Sequence, residues 1–577
     1  MSRKFHRLPA GSVQLKGMAG KALDLTIANR LKKVDFTHLA EPFALRNEKD
    51  NMWRCEFWGK VMRSAIYAYC ATKDPELEAK IHEGVKVLLS AQTPDGCISS
   101  YPAAKQLGGW DIWGRKYLLH ALTRYVKVFG DEEVKKCCER LLSHLISQIH
   151  ESGKSVLELG CHEGLAVCSI LDTVVIMWEL TGKEEFGAFA KEIVESGCSA
   201  KHNIFEMAIK KLPPAEIGNG KAYEMTSCFQ GLAEYLQKVE EESYRESLLS
   251  YWDSLEEYEL MVTGTGGHKD ISGEFWNYGK WNQMKLCAGM SNAETCVTAT
   301  LLRFADCLLR QEGDSRFADY IEKNLYNAAI GAMKIDGSTF CHANPTPLFR
   351  RAFKRPAPDQ ILGFGEDCCL AQGPEALAMA HLSAVMLSEK GELVLNAYED
   401  LTAKFALPNG VKGTLTLTGG YPLQREVKGA LSFEEGAGKK WTLLCRIPYF
   451  WNEKCSLSCK GKKITTLPGQ YLAIEENWEE GDTITFTFDL TVRREDSPDY
   501  TRVALFSGPL LLAQDSRLTE EVDLPINTAL PFTAKEGTGE IRKIWENAEG
   551  MRLAPYADAG NLFRLDNGLC VFLQEKK

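Results

Sequence analysis

The chain has 577 residues, a formal net charge of −10 and a pI near 5.7. Hydrophobic residues make up 45% and charged residues 25%, an ordinary globular balance, and the length exceeds what one core usually holds, so several domains are expected. The acidic balance argues against nucleic acid or an anionic membrane as partner, and no run of about 18 apolar residues is present to span a bilayer.

The first residues, Met1-Ser2-Arg3-Lys4-Phe5-His6, are basic but have no apolar stretch behind them, so no signal peptide is expected. Helical character follows in 57–69, 77–91, 114–129, 132–149, 167–180 and 183–196. In 299–309, Leu301, Leu302, Phe304, Ala305, Leu308 and Leu309 repeat with the i, i+3, i+4, i+7 spacing of one buried face. Pro374 suits the first turn of a further helix over 375–387. Helices of similar length, repeated in pairs, point to a helical toroid rather than a doubly wound sheet. From about residue 388 the period changes to two, in 411–417 and 483–488, with further strands expected at 441–447, 471–474 and 503–512. Asn409-Gly410 and Pro468-Gly469 mark turns between them, and 518–539 reads as a long connection. The expected division is a helical domain over 1–387, a β-sandwich over 388–500 and a smaller β-sandwich or β-extension over 501–577.

Nineteen cysteines, an odd number without a framework spacing, favour a reducing compartment, here the cytoplasm, with most thiols acting as small buried apolar groups. Two adjacent pairs stand out. Cys137-Cys138 lies inside a helical segment with no paired acidic-thiol motif nearby. Cys368-Cys369 follows Gly365-Glu366-Asp367, and upstream Glu294-Thr295-Cys296 sets a carboxylate and a third thiol two residues apart. Glu294, Cys296, Cys368 and Cys369 could hold one zinc ion, since zinc favours thiolate and carboxylate donors and deprotonates the thiols it binds. For Glu294 and Cys296 to reach one ion the backbone there must not yet be helical. The adjacent cysteines require a loop or bend, which Gly363, Gly365 and Gly373 permit. Four unrelated buried side chains would give the same spacing. Thr263-Gly264-Thr265-Gly266-Gly267-His268 leads to Gly273-Glu274-Phe275-Trp276. Glu274 in that setting is either a general acid with its pKa raised by apolar neighbours or a solvated loop carboxylate, and His268 either a binding or a turn residue.

In this order, the Thr-Gly…His…Gly-Glu-x-Phe stretch, the Glu-Thr-Cys at a helix start and the Cys-Cys before a helix resemble glycoside hydrolase family 127, best known for β-L-arabinofuranosidase activity. The likeness extends through Trp110-Asp111-Ile112-Trp113-Gly114-Arg115-Lys116-Tyr117, Gln372-Gly373-Pro374-Glu375, Arg446-Ile447-Pro448, Pro468-Gly469-Gln470-Tyr471 and Gly508-Pro509-Leu510. The resemblance implies an (α/α)6 barrel followed by β-sandwich domains. It implies zinc on Glu294, Cys296, Cys368 and Cys369, with Cys368 the nucleophile and Glu274 the general acid/base of a retaining exo-hydrolase. The expected partner is an oligosaccharide or other glycoside, and the sandwiches would buttress the barrel or support a homodimer.

The chain also departs from the family. The separation of Glu274 from Glu294 is longer, and Gly114-Arg115-Lys116 and Lys221-Ala222-Tyr223-Glu224 stand where the arabinofuranosidases carry Met-His-Glu and Gly-His-Ala. The sugar therefore does not carry over, and a charged or substituted one is an alternative. Asp111, Trp113, Lys116, Tyr223, Glu224 and His268 are candidate pocket residues, for each of which a core role is an equal account. The rival readings are a lyase or epimerase on the same barrel, and a carbohydrate-binding protein with structural zinc.

Overall fold

The computed structural model describes residues 3–49, 52–268, 273–285, 293–350 and 366–576. Six helices with apolar residues on most faces pack side by side in chain order: Phe57–Thr72, Asp111–Phe129, Leu171–Thr181, Ala222–Tyr235, Thr295–Glu312 and Cys368–Ala384. The last closes against the first, so the ring is complete. A helix buried nearly all round belongs inside a larger core, and each of these has an outer partner with one apolar face. The first five are backed by Pro75–Leu89, Glu132–Glu151, Glu184–Glu195, Glu242–Ser254 and Ser315–Asn324. The sixth outer place is taken by Met18–Asn29, from the beginning of the chain, against Cys368–Ala384. This is an (α/α)6 barrel. Asp74, Asp131 and Asp314 cap outer helices by accepting hydrogen bonds from backbone N–H groups of the first turn.

Three sequence expectations change in detail. The segment 167–180 is two helices, Leu165–Cys168 and Leu171–Thr181. Pro374 lies inside a helix rather than at its start, because the helix already begins at Cys368, capped by the Asp367 side chain. The proline then leaves only the rung to Leu370 unmade. Gly373 does not make a bend: a Cβ there would sit 2.4 Å from the Phe340 ring, so the glycine permits close packing. Gly363 and Gly365 lie outside the described residues.

The strands form three sheets. Phe5–Arg7, Val385–Ser388, Leu393–Leu395, Lys440–Ile447 and Gln470–Asn477 make a five-stranded sheet. The seven-stranded sheet runs from Lys462–Ile464 through Ser456–Cys459, Thr483–Thr487, Glu426–Glu435, Lys412–Thr418 and Leu401–Ala406 to Val13–Leu15. Inward residues of these two sheets, among them Leu415, Leu417, Leu443 and Phe486, are buried, while alternate residues face out. The third sheet holds Val503–Ser507 and Leu510–Asp515, a hairpin where the sequence reading has one strand over 503–512.

Several of the C-terminal motifs are docking devices. Arg446, buried, pairs with Asp319 at 2.5 Å and Glu322 at 2.8 Å on an outer barrel helix. Asn327 donates to the Pro509 carbonyl at 2.9 Å and accepts from Leu511 N at 2.8 Å, tying the third sheet to the barrel. The described cysteines are all free thiols, and no described helix is long and apolar enough to cross a membrane.

Candidate active site and metal centre

The site gathers at one end of the barrel, where inner helices begin. Glu294 is the N-cap of Thr295–Glu312, with extended backbone (φ −61°, ψ 143°), and Cys296 is the second helical residue. The carboxylate can therefore swing beside the sulfur, and its Oε2 lies 3.8 Å from Cys296 Sγ. Cys368 and Cys369 are not in a loop, as their adjacency suggests, but open the helix Cys368–Ala384. In a first turn with no preceding turn to obstruct them both sulfurs reach the same space, 3.8 Å apart, and Cys369 Sγ is 4.0 Å from Glu294 Oε2. Glu294 Oε1 accepts the Gly273 N–H at 3.0 Å, which orients the carboxylate.

These residues fit zinc. With Zn–S bonds near 2.3 Å, a tetrahedral ion sets its sulfur ligands roughly 3.8 Å apart, the spacing of Cys368 and Cys369. Donor atoms of Glu294, His342, Cys368 and Cys369 all lie within 4.8 Å of one another, and so do those of Glu274, Glu294, Cys296 and Cys368. Glu294 and Cys368 are common to both groups. His342 is absent from the sequence reading. Its Nε2 is 3.4 Å from Glu294 Oε1 and its Nδ1 3.9 Å from Asp367 Oδ1. Burial alone would lower its pKa, but the Cys369 sulfur and the Glu294 carboxylate overcome that and hold the imidazolium charged. Burial would likewise raise Cys369, yet contacts with Cys296 and Cys368 and the charge on His342 pull it well below an ordinary thiol. Cys368 is lowered by its contact with Cys296, but Cys369 and burial outweigh this and leave it well above the usual value. The two adjacent thiols are thus electrostatically unlike.

Glu274 joins the cluster, its Oε1 3.3 Å from Cys296 Sγ. Its segment is pinned by the antiparallel bridge Lys221–Phe275 and by Ala222 N donating to the Glu274 carbonyl at 2.7 Å. The upward pKa shift expected from apolar neighbours is reversed. Burial pushes up, but the Lys221 ammonium, 2.5 Å from Oε2, and Lys60 beyond it hold the carboxylate at about 2. Glu224, on the other side of Lys221 at 3.8 Å, goes the opposite way: burial outweighs the lysine and raises it to about 7.

Lys60 and Glu56, one helical turn apart, pair at 3.1 Å, and burial raises Glu56 to about 7. The Lys60 ammonium lies 4.9 Å from the centre of the Tyr223 ring and 5.0 Å from that of Tyr117. Trp113 is buried and donates its indole N–H to Glu56 at 2.5 Å, and Tyr223 donates to Gln372 at 2.8 Å. Lys116 donates to Ser169 Oγ at 3.0 Å, its ammonium lies 4.1 Å from the Trp113 ring centre, and burial brings it to about 7. Asp111 is occupied within the protein by Ser99, by Leu107 N at 2.8 Å and by Arg115 at 2.8 Å. His268 is buried, its N–H donating to the Phe275 carbonyl at 2.8 Å. The structure therefore brings Glu274, Glu294, Cys296, Cys368 and Cys369 together, sets Lys221 and Glu224 beside Glu274, and engages Trp113, Tyr223, Asp111 and Lys116 with other side chains of the protein. The signal that could have found Lys60 and Glu56 is their i, i+4 spacing across the start of a largely apolar helix.

A family description, β-L-arabinofuranosidase, GH127 catalytic domain, matches residues 12–381, and the GH127 middle domain matches 392–490. A non-reducing end β-L-arabinofuranosidase of Bifidobacterium longum subsp. longum is 21% identical over 516 residues, 81% of this chain and 75% of the relative. Among solved structures, a protein described as a glycoside hydrolase superposes with a TM-score of 0.78 at 18% identity, covering 100% of this chain and 98% of its own. A GH127 β-L-arabinofuranosidase from Geobacillus stearothermophilus T6 gives 0.73 at 18% identity, covering 98% and 100%. With the catalytic-domain match running through the whole barrel and the middle-domain match through the sandwich behind it, the chain belongs to GH127 and is a glycoside hydrolase.

Proposed function

We propose that the enzyme is a retaining exo-glycosidase that releases a β-L-arabinofuranosyl unit from the non-reducing end of a small oligosaccharide, with Cys368 as nucleophile and Glu274 as general acid/base. The observation that carries this reading is a distance. Donor atoms of Cys368 and Glu274 lie within 4.8 Å of each other, which supports the close pairing of retaining glycosidases, about 5–5.5 Å, and not the roughly 6.5–9.5 Å that leaves room for water in inverting ones.

Glu294, Cys296, Cys368 and Cys369 would hold the zinc, which when bound keeps the thiols deprotonated at neutral pH. In the first step Cys368 Sγ forms a bond to the anomeric carbon as the glycosidic C–O bond breaks, and the leaving oxygen takes the proton of Glu274. In the second, water gives a proton to the Glu274 carboxylate and its oxygen replaces the sulfur, so two inversions give retention. Lys221 fixes where Glu274 sits, and the proton needed for the first step requires the substrate to part that ion pair. Trp113 and Tyr223 supply the apolar wall, and Glu224 a proton-bearing carboxyl beside Lys221.

The test is a rapid acid quench during turnover of an activated aryl β-L-arabinofuranoside, followed by peptide mapping. A pentosyl mass on the Cys368 peptide is expected, and its appearance on Cys296, Cys369 or a carboxylate instead would reject the assignment. A second reading, a charged or substituted sugar, is favoured by Lys60 and Lys221 flanking Glu274. A panel of aryl glycosides that includes a glycuronide decides between them.

The reading also keeps the division at 387 and 500, supported by the helices before and the strands after, with Phe5–Arg7 and Val13–Leu15 crossing back to the sandwich sheets. The free thiols support a reducing, cytoplasmic setting.

A further inference from the structure

A cavity of about 420 Å³ lies where the barrel meets the third sheet, between the outer helix Ser315–Asn324, the 260–264 loop and residues 495–498. That volume is within the range of small-molecule pockets, about 300–1,000 Å³. Its walls are largely apolar: Leu260, Met261, Val262, Ala504 and Phe572, with the faces of Tyr320 and Tyr449.

The charges on the wall are unevenly matched. Each carboxylate there has an arginine: Asp319 pairs with Arg446 at 2.5 Å, Glu495 with Arg493 at 3.4 Å, Asp496 with Arg494, and Glu256 with Arg316 at 3.9 Å. Among the described residues, neither of the two ammonium groups has a carboxylate within ion-pair distance. Lys280 Nζ donates to the Glu256 carbonyl at 2.9 Å. Lys323 Nζ, among the described residues, has neither a hydrogen-bond nor an ion-pair partner, and rests 5.4 Å from the centre of the Phe506 ring. Burial lowers its pKa, and the nearby Glu495 carboxylate, itself paired with Arg493, offsets this only in part. With every carboxylate on the wall paired to an arginine and these two half-buried ammonium groups left to the cleft, the charge pattern suits an anion, and the largely apolar walls suit one that carries an apolar body.

We propose that this cleft binds a small organic carboxylate, its carboxyl group on Lys323 and Lys280 and its body against Tyr449, Phe572 and Val262. A carboxylate is favoured over a bare inorganic anion because phosphate would leave most of the cavity wall unfilled.

The test is isothermal titration of the full-length enzyme with benzoate, benzamide and inorganic phosphate. Benzoate is expected to bind at one site per chain and at least tenfold more tightly than either of the others. Lys323→Met should weaken benzoate at least tenfold while leaving the unfolding temperature and glycosidase turnover intact, and Lys323→Arg should restore binding. Cys368→Ala should bind benzoate like the wild type, which separates this cleft from the active site. No binding of benzoate up to 10 mM (on the order of the weakest useful affinities) would overturn the proposal. So would benzamide or phosphate binding as well as benzoate, or an unchanged affinity in Lys323→Met.

Discussion

Lys221 Nζ lies 2.5 Å from Glu274 Oε2, and the two segments that carry them are joined by a backbone antiparallel bridge between Lys221 and Phe275. A lysine at this place ties the position of the carboxylate to a second element, the start of the helix Ala222–Tyr235. Replacing Lys221 by methionine removes the tether and keeps the volume. Turnover is expected to fall roughly ten- to hundredfold, the cost of a misplaced catalytic group, with zinc content unchanged. Lys221→Arg should recover most of the loss, since a guanidinium also pairs with a carboxylate. Full activity in Lys221→Met would show that Glu274 needs no such tether.

The two adjacent cysteine pairs set the proposed nucleophile against a buried dipeptide. Cys137 and Cys138 lie buried in the outer helix Glu132–Glu151, and burial raises both thiols. Cys368→Ala is expected to lower kcat by at least about 10³-fold, while Cys137→Ala turns over aryl β-L-arabinofuranoside like the wild type. Glu274→Ala should lose most activity on poor leaving groups, regain turnover in azide and give a glycosyl azide of retained configuration. A product of inverted configuration would remove Cys368 from the nucleophile role.

The sequence carries these features unequally, for a physical reason. Helices and strands are legible because their apolar periods are local: 132–149 and 441–447 differ from Glu132–Glu151 and Lys440–Ile447 by a residue or two. Glu294-x-Cys296 and Cys368-Cys369 are legible because their members are neighbours in the chain. Phe5–Arg7 and Val13–Leu15 are three residues each, too short for a period, and exist only because Val385–Ser388 and Leu401–Ala406 offer them an edge. His342 could not be seen because its partners, Glu294 and Asp367, come from two distant segments. The opposite shifts of Glu224 and Glu274 depend on a lysine that only the fold sets between them.

His342 contacts Glu294 and Asp367, and its backbone carbonyl is 3.4 Å from Cys369 Sγ. It orients groups that would hold zinc, so His342→Ala should retain the metal but weaken it about 10–100-fold, as removal of outer partners of metal ligands does. Competition with a chromophoric chelator reads this directly. The wild type should carry about one zinc per chain, and stripping it should lower both activity and unfolding temperature. An unchanged chelator curve for His342→Ala would make the histidine a bystander.

Gly59 faces the next inner helix, and a Cβ there would come 2.3 Å from the Tyr117 carbonyl oxygen. Backbone cannot step aside as a side-chain tip can, so Gly59→Ala should cost about 2–3 kcal/mol or more. At Gly108 the added carbon would meet only the Lys105 carbonyl, at 3.4 Å, and Gly108→Ala should change stability by no more than about 0.5 kcal/mol. Denaturant midpoints of the two variants check the contrast, and equal midpoints would mean that the inner ring is looser than its geometry.

At the far end of the barrel, Asp306 accepts from Arg7 at 2.5 Å, Arg310 at 2.9 Å and Ser383 at 2.7 Å. Glu234 pairs with Arg3 and, at 3.5 Å, with Arg310. Burial would raise both carboxylates, but the arginines outweigh it and hold each at about 2, against roughly 4 in an unfolded chain. The folded state therefore binds fewer protons than the unfolded one between about pH 4 and pH 2. Stability is fully present at pH 7 and falls as the pH falls through that window, by on the order of 2 kcal/mol for each group. Arg7→Met removes one of the cations on Asp306 and should destabilise by about 1–3 kcal/mol at neutral pH. The difference from the wild type should narrow as both proteins are taken from pH 4 toward pH 2, because protonated Asp306 no longer needs Arg7. Denaturant titrations at pH 7 and pH 2.5 measure this, and a difference of the same size at both would mean that Arg7 acts by packing and not by charge.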